Sequence, residues 1–321
     1  MKIDAHNHVI PRPAIDLLQR ESVYGVRIED GWVSGAHTSG FRLVEAYFDP
    51  DGKLEELARH GLEGAVLSGA PNLFYYELPP EPAEAMCAAA NAGLAEMSAA
   101  RPGRLWWLAM LPMQSPHRVA SVLEDAVAAG AVGAHIGTTV CGAPIDGDEY
   151  EPLWSAAEKL GVVVMIHPAY NAPNPALDRW YLGNTIGNLL ETTVMLERLI
   201  CSGVLDRHPK LRVLAVHGGG SFPYTAGRLR HARTIRGELA GTPENPWAYI
   251  GQVAFDTITH DLEALSYLIA RAGADNVLLG TDLPFDMASR DPVGDITRAV
   301  AGPAATLVAG ANASRLFGLG V

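Results

Sequence analysis

The sequence is poor in cysteine and has no long apolar run, and both shortages narrow the class of protein. The only cysteines among 321 residues are Cys87, Cys141 and Cys201, and no two of them have CxxC spacing. Three cysteines cannot all pair, so we expect a cytoplasmic protein in a reducing compartment. No stretch of about 18 uncharged apolar residues occurs, so we expect no membrane-spanning helix. The N-terminus lacks the basic and then apolar pattern of a secretory signal.

Basic residues are scarce as well. The chain has 24 lysines and arginines against 36 acidic residues, which gives a formal net charge of −12. Nucleic-acid binding needs clusters of basic residues, so we expect no nucleic-acid partner. A nucleotide-binding loop is also missing, because Gly218-Gly219-Gly220 has neither the GxGxxG nor the P-loop spacing. A small anionic substrate is compatible with this balance, since a few arginines suffice to bind it.

Apolar β-type segments alternate with alanine- and leucine-rich helical segments along the chain. Strand character is present at 2–9, 64–70, 105–111, 132–138, 161–167, 211–217, 251–258 and 276–282. Helical patterns are present at 51–60, 82–100, 116–129, 150–160, 189–207, 224–238 and 261–272, with a closing helix at 303–317. This order predicts an α/β protein, a single-domain (β/α)8 TIM barrel over residues 1–321. An open doubly wound sheet is the alternative, but it would gather polar residues at one crevice rather than at many strand ends.

Two connections are longer than a minimal barrel needs. Residues 11–50 form an insertion after the first strand, and residues 168–188 form a long loop after the fifth. Long connections after barrel strands usually form lids and binding loops. We therefore expect both segments to cover the C-terminal mouth of the barrel.

Metal-ligand residue types stand at the ends of four predicted strands. His6 and His8 are two positions apart on the first strand, so their side chains point to the same face. His167, His217 and Asp282 end the fifth, sixth and eighth strands. Such ends converge at one mouth of a TIM barrel. Imidazole and carboxylate donors suit Zn²⁺, or Mn²⁺, Fe²⁺ or Co²⁺, so the pattern predicts a divalent metal site. Unrelated core and loop histidines are the alternative interpretation.

Several longer motifs accompany these ligand-type residues and run over nearly the whole chain. They are Met1–His8, Phe41–Val44 with Asp49-Pro50, Leu111–Gln114, Ile136–Thr138, His167-Pro168, Glu191–Thr193, His217–Tyr224 with Gly227-Arg228, and Gly280–Phe285. The set resembles the amidohydrolase superfamily, in particular the amidohydrolase-2 branch that contains aminocarboxymuconate-semialdehyde decarboxylase. The resemblance implies a metal-dependent, non-oxidative decarboxylase of an unsaturated or aromatic carboxylic acid. A hydrolase or hydratase acting on a small carboxylate, amide or lactone is the alternative, and a non-catalytic metal-binding protein is a remote third.

The resemblance also implies roles for the strand-end residues. His6, His8, His167 and Asp282 would bind the metal, with Asp282 also catalytic, and His217 would be the acid–base residue beside it. His217 as a further ligand is the alternative. Dinuclear members of the superfamily carry a carboxylated lysine at the end of strand 4, and residues 136–139 contain no lysine. We therefore expect one metal ion, with Zn²⁺ favoured.

Four further residues match the branch's substrate-binding positions. Arg42 matches an arginine that binds the substrate carboxylate, and Phe285 would line the pocket. Arg228 and Arg236 match arginines that approach the site from a neighbouring subunit, which implies a homodimer. A solvated helix face is the alternative for these two. Asp256 resembles the branch but is expected only to orient loops.

His135 lies within the fourth predicted strand and is not one of the strand-end residues. We expect it to be an interior histidine whose hydrogen bonds are satisfied.

Overall fold

Eight parallel strands form the centre of the computed structural model, which describes residues 1–35, 38–169 and 174–320. Their bounds are β1 Ile3–Val9, β2 Gly64–Gly69, β3 Leu105–Met110, β4 Gly133–Gly137, β5 Val163–His167, β6 Arg212–Ala215, β7 Val253–Asp256 and β8 Val277–Leu278. Neighbours in the sheet are neighbours in this order. The Ala5 amide donates to the Leu279 carbonyl at 2.8 Å, which brings the end of β8 against β1. The predicted TIM barrel is confirmed.

Helices surround this barrel because they bury one apolar face against the strands. Their bounds are α1 Arg12–Arg20, α2 Pro50–Arg59, α3 Pro80–Ala100, α4 Pro116–Ala128, α5 Glu151–Leu160, α6 Leu189–Cys201, α7 Val204–Arg207, α8 Phe222–Ile235, α9 Leu262–Ala272, α10 Pro292–Ala299, α11 Pro303–Thr306 and α12 Asn312–Phe317. The strands are buried on both faces, as strands covered by helices on one side and a packed interior on the other must be. None of the helices in the described ranges has the length and apolar character needed to cross a bilayer.

Two predicted helices are interrupted. The helix expected over 189–207 ends at Cys201, and α7 begins at Val204, because Gly203 takes a left-handed conformation with φ +78°. The closing helix expected over 303–317 consists of α11 and α12, joined by a π-helical segment with a break at Gly310. Local backbone geometry at glycine therefore ends helices that the apolar pattern alone would continue.

The insertion after β1 contains a small sheet of its own. After α1, the antiparallel strands Val26–Glu29, Trp32–Gly35 and Thr38–Arg42 form a three-stranded sheet. Its register pairs Trp32 with Arg42, so the sheet brings a tryptophan and an arginine to one end. Residues 36 and 37, which include His37, lie outside the described residues.

The long loop after β5 is partly helical. A 3₁₀ helix over Pro175–Leu177 is followed by a π-helical segment, Gly183–Asn188, which continues directly into α6. Residues 170–173 of this loop lie outside the described residues. A short hairpin also follows β4, and its two strands, Thr139–Val140 and Ala143–Pro144, have two residues each.

Candidate metal centre and active site

His6 and His8 point into the same space at the mouth of the barrel. Both side chains are fully buried, and their Nε2 atoms are 3.1 Å apart. Alternation along β1 places the two imidazoles on one face, as expected for residues two positions apart on a strand. The N-terminal strand therefore supplies two nitrogen donors side by side.

His167 and Asp282 complete a group of four donors. One ligand atom from each of His6, His8, His167 and Asp282 lies within 4.8 Å of the others. The Asp282 Oδ1 atom is 3.0 Å from His8 Nε2 and 3.6 Å from His6 Nε2. Burial lowers the pKa of His8 to about 4, so its imidazole is neutral and able to act as a ligand. Three imidazoles and one carboxylate around one space are a donor set that fits a divalent metal.

Each of the three imidazoles is held by its other ring nitrogen. His6 Nδ1 donates to Asp256 Oδ2 at 2.6 Å, and His167 Nδ1 donates to the Pro168 carbonyl at 2.9 Å. His8 Nδ1 lies 3.2 Å from the Ser68 hydroxyl. A partner on Nδ1 orients each ring so that Nε2 faces the other candidate ligand atoms, which is the usual arrangement of metal-ligating histidines.

Asp256 connects His6, a candidate metal ligand, to the turn that carries His217. Besides His6, its carboxylate accepts hydrogen bonds from the backbone amides of His217 at 2.9 Å and Gly218 at 2.7 Å. Burial raises the pKa of Asp256, but the hydrogen bond and charge of His6, the charge of His217 and the Gly218 amide together outweigh it, so the net shift is downward. The expectation that Asp256 only orients loops missed its contact with His6.

Buried charges beneath the site attach β1 to its neighbours. Asp4 accepts hydrogen bonds from the backbone amides of His6 and Thr281, both at 3.1 Å, so it joins β1 to the segment that carries Asp282. The Lys53 ammonium donates to the His8 carbonyl at 3.2 Å and to Glu56 at 2.9 Å. Sequence reasoning did not predict either role. Alternation gave a signal for Asp4, which shares the face of His6 and His8.

His217 faces the donor cluster from the end of β6. Its Nε2 atom is 3.8 Å from Asp282 Oδ2. Burial lowers the pKa of His217, but the contact with Asp282 and the charge of Asp256 together outweigh it, so that the pKa is raised above its ordinary value. Both His217 and Asp282 have left-handed backbone conformations, with φ +55° and +66°. Residues in this region carry strain that the surrounding structure must hold, and such strain is common at functional sites.

Arg42 and Phe285 lie on a cavity of about 800 Å³ that opens beside Asp282. The Phe285 ring packs on His8, with ring centroids 4.9 Å apart. Arg42 is exposed at the end of the insertion sheet and forms no ion pair among the described residues. We call this space the insertion cavity; its lining includes Trp32, Phe41, Arg42, Tyr47, Tyr181 and Phe285.

Arg228 and Arg236 do not reach the donor cluster of their own chain. Both are exposed, Arg228 on α8 and Arg236 at its C-terminal end, and neither lines the insertion cavity. Arg236 instead pairs with Glu238 at 3.2 Å. Within one chain, these two arginines stand apart from the other predicted site residues.

His135 departs from expectation. It is fully buried, but neither ring nitrogen has a hydrogen-bond partner among the described residues. Its ring centroid lies 5.8 Å from that of His8 and 5.5 Å from that of His167. The prediction of a satisfied interior histidine is therefore wrong, because its ring packs against other rings, including that of Phe74 at 4.9 Å between centroids, and neither nitrogen forms a hydrogen bond within the described part of the chain.

Several known proteins of similar sequence and structure are named as decarboxylases. The chain is 33% identical over 307 residues to 2-amino-3-carboxymuconate-6-semialdehyde decarboxylase of Dictyostelium discoideum, covering 91% of this chain and 84% of that protein. The structure matches 5-carboxyvanillate decarboxylase from Sphingomonas paucimobilis with a TM-score of 0.84 and 25% identity, over 99% of each chain. It also matches dihydroxybenzoic acid decarboxylase from Polaromonas with bound manganese and 2-nitroresorcinol, with a TM-score of 0.78 and 24% identity, over 100% of this chain and 97% of that one.

The match to a family model extends over almost every residue. The model of the amidohydrolase family matches residues 3–319, which include all five strand-end residues and all three arginines predicted for the site. The resemblance seen in the sequence motifs is therefore confirmed, and this chain belongs to the amidohydrolase family.

Proposed function

We propose that the protein is a metal-dependent, non-oxidative decarboxylase of an unsaturated or aromatic carboxylic acid. One observation carries the proposal: four metal-ligand donors lie within 4.8 Å of one another, and the imidazole of His217 stands 3.8 Å from one of them. The relatives named as decarboxylases support the same activity. A hydrolase or hydratase would use the same donors, so the reaction itself has to be tested.

His6, His8, His167 and Asp282 would hold one divalent ion in this proposal. When bound, that ion would supply a Lewis acid that stabilises negative charge developing on the substrate. The end of β4 supports a single ion, because Thr138 stands there and donates to Glu191 at 2.6 Å. We propose Zn²⁺ on the basis of its nitrogen-rich donor set. Mn²⁺ is the alternative to compare, since the Polaromonas relative contains it.

Arg42 and His217 would perform the two remaining tasks. The exposed guanidinium of Arg42 would bind a substrate carboxylate in the insertion cavity, where planar donors match carboxylate oxygens. As the bond to the leaving carboxyl group breaks, its electron pair stays on the substrate carbon and CO₂ departs. His217, whose pKa is raised by Asp282 and Asp256 together against the effect of burial, would donate one proton to that carbon and regain one from solvent.

We further propose a homodimer in which Arg228 serves the neighbouring site. Ile186, Leu190 and Val194 support this, because they recur every four residues along α6 and the segment before it, with exposed fractions of 50%, 51% and 46%. An exposed apolar stripe of this kind suggests an interaction surface. Arg228 is on α8, which packs against α6. We keep a cytoplasmic location as part of the proposal, since all three cysteines are free.

Two experiments test this function. Protein loaded with Zn²⁺ or Mn²⁺ would be assayed for CO₂ release from carboxymuconate-type and hydroxybenzoate-type acids, and for hydrolysis of matched amides and lactones. CO₂ release with no hydrolysis is the expected result; hydrolysis alone would establish the alternative.

The dimer has its own test. Mixing an Arg228→Ala variant with a His217→Ala variant should restore about a quarter of wild-type turnover if subunits exchange at random, since half the dimers are mixed and each has one intact site. A dimer with no restored turnover would contradict the role of Arg228 in the neighbouring site.

A further inference from the structure

Asp282 stands at the border between two adjoining cavities. The insertion cavity lies on one side and includes Arg42 and Phe285. A second cavity of about 590 Å³ lies on the other side and includes His217. We call it the helix cavity, because α8, α9 and the segment leading into α6 form its walls; its lining includes Leu189, Tyr224, Ile258, Ala264, Tyr267 and Leu268. Asp282, Asn184 and Met287 border both cavities.

This division separates the two groups that a substrate must reach. Arg42 lines only the insertion cavity, whereas His217 lines only the helix cavity. A molecule whose carboxylate contacts Arg42 must therefore pass Asp282 to meet His217. The part of the molecule beyond the reacting carbon would then enter the helix cavity.

The two cavities differ in chemical character. The insertion cavity contains Arg42 together with the carboxylates of Asp178 and Asp286. Among the described residues that line the helix cavity, none is arginine, lysine or glutamate, and most of the lining surface is apolar. Apolar surface removed from water contributes about 25 cal/mol per Å² to binding. The volume of about 590 Å³ is also in the range of about 300–1,000 Å³ typical of small-molecule sites.

We propose that the helix cavity binds an uncharged, apolar part of the substrate. This inference rests on the proposed function and narrows it: the preferred acids carry an alkyl or aryl extension on the side opposite the carboxylate. The polar groups available to such an extension are side chains such as those of Asn184 and Asn188, which suit a hydroxyl or amide at most. Neither arginine nor lysine is present in the described lining to pair with a second anionic group at this end, and the imidazoles there are those of His217 and His260.

Ligand binding tests the proposal independently of turnover. The probes are 2-nitroresorcinol, which the Polaromonas relative binds, and its analogues with methyl, propyl and pentyl groups opposite the nitro group. Affinity for the metal-loaded full chain would be measured by calorimetry. Each buried methylene should tighten binding about fourfold, the factor that corresponds to about 0.8 kcal/mol. We expect a gain of about tenfold or more from 2-nitroresorcinol to the propyl analogue.

Ala264→Phe places a ring in the helix cavity from an exposed position in the first turn of α9, so the fold should tolerate it. In this variant, the gain in affinity from 2-nitroresorcinol to the propyl analogue should be less than about threefold. Leu262→Phe is the matched control, because Leu262 is exposed on the same turn but lines neither cavity. Leu262→Phe should keep the affinity gain of the propyl analogue. Val44→Phe narrows the insertion cavity instead, and this variant should also keep the affinity gain of the propyl analogue.

Several results would overturn the proposal. Equal affinity across the series, or no measurable binding of any probe, would show that the helix cavity accepts no apolar extension. A gain that survives Ala264→Phe but is lost in Val44→Phe would place the extension in the insertion cavity. Equal affinities across the ligand series, combined with a change of oligomeric state in Ala264→Phe, would mean that a partner chain fills the helix cavity. If instead the gain behaves as expected but no CO₂ is released from any acid, the proposed function fails and this inference holds.

Discussion

His6 and Asp256 are joined by a hydrogen bond of 2.6 Å between two fully buried side chains. They are 250 residues apart in the chain. The hydrogen bond fixes the proton of His6 on Nδ1. The unprotonated Nε2 atom therefore faces His8 and Asp282. Because Asp256 also accepts a hydrogen bond from the backbone amide of His217, one carboxylate orients both the proposed metal ligand and the proposed acid.

Replacing that carboxylate should weaken metal binding. Asp256→Asn keeps the size of the side chain but removes the negative charge that holds the His6 ring. Loss of such a partner typically costs about 10- to 100-fold in metal affinity. We expect a rise of that size in the Kd for Zn²⁺, measured by competition with a chromophoric chelator. An unchanged Kd would show that Asp256 has only a structural role.

His167 and His217 should separate metal binding from turnover. His167→Ala removes one of the four proposed metal-ligand donors. The metal affinity should therefore fall further in this variant than in Asp256→Asn. His217→Ala should keep the metal and lose about 100-fold or more in kcat, the usual contribution of a general acid. Metal content after dialysis and steady-state rates measure the two effects. If His217→Ala also loses the metal, His217 is a ligand and the proposed role is wrong.

Arg42 should matter for substrate binding rather than for metal binding. Arg42→Ala removes a charged donor to the carboxylate, and hydrogen bonds to charged groups contribute about 1.5–3 kcal/mol. We expect KM for the best acid in the panel to rise about 10- to 100-fold, with unchanged metal content. Arg27→Ala is the matched control, since Arg27 is exposed on the same insertion sheet but lines neither cavity. Equal effects of the two variants would count against the proposed contact.

The strand ends were predictable because barrel geometry follows from local patterns. Apolar runs separated by amphipathic helices identify the strands, and parallel strands bring their C-terminal ends to one mouth. His6, His8, His167, His217 and Asp282 could therefore be grouped from the sequence alone. The insertion sheet was harder to recognise, because strands of four or five residues with one exposed face give only a weak alternating pattern.

Partners far apart in the chain were not predictable. Asp4, Lys53 and Asp256 each contact the site through a group that is distant in the chain, and no local periodicity reports which distant group a buried charge will meet. Their burial is the signal, since a charge is rarely buried without a partner. That signal exists only once the strands have been placed, which is why the orientation of His6 emerged from the structure.

His135 and His208 are two buried histidines whose surroundings predict opposite responses to the same substitution. His208 contacts Glu151 at 2.7 Å and Glu158 at 3.2 Å. Neither nitrogen of His135 has a hydrogen-bond partner among the described residues, and burial, which outweighs the nearby Gly69 carbonyl, holds its pKa well below the ordinary value. The imidazole of His135 is therefore neutral and its polar atoms are unsatisfied.

Leucine at each position should reveal this difference. His208→Leu deprives two carboxylates of a partner and should lower the free energy of unfolding by about 1–3 kcal/mol, whereas replacing an unpaired polar group by an apolar one is nearly neutral or stabilising. We expect His135→Leu to change the free energy of unfolding of the metal-free protein by less than about 1 kcal/mol, or to raise it. Denaturant unfolding in the presence of a chelator measures both variants. A loss for His135→Leu as large as that for His208→Leu would mean that His135 is hydrogen-bonded in the metal-free protein, since only a partnered imidazole leaves an unpaired group behind when it is removed.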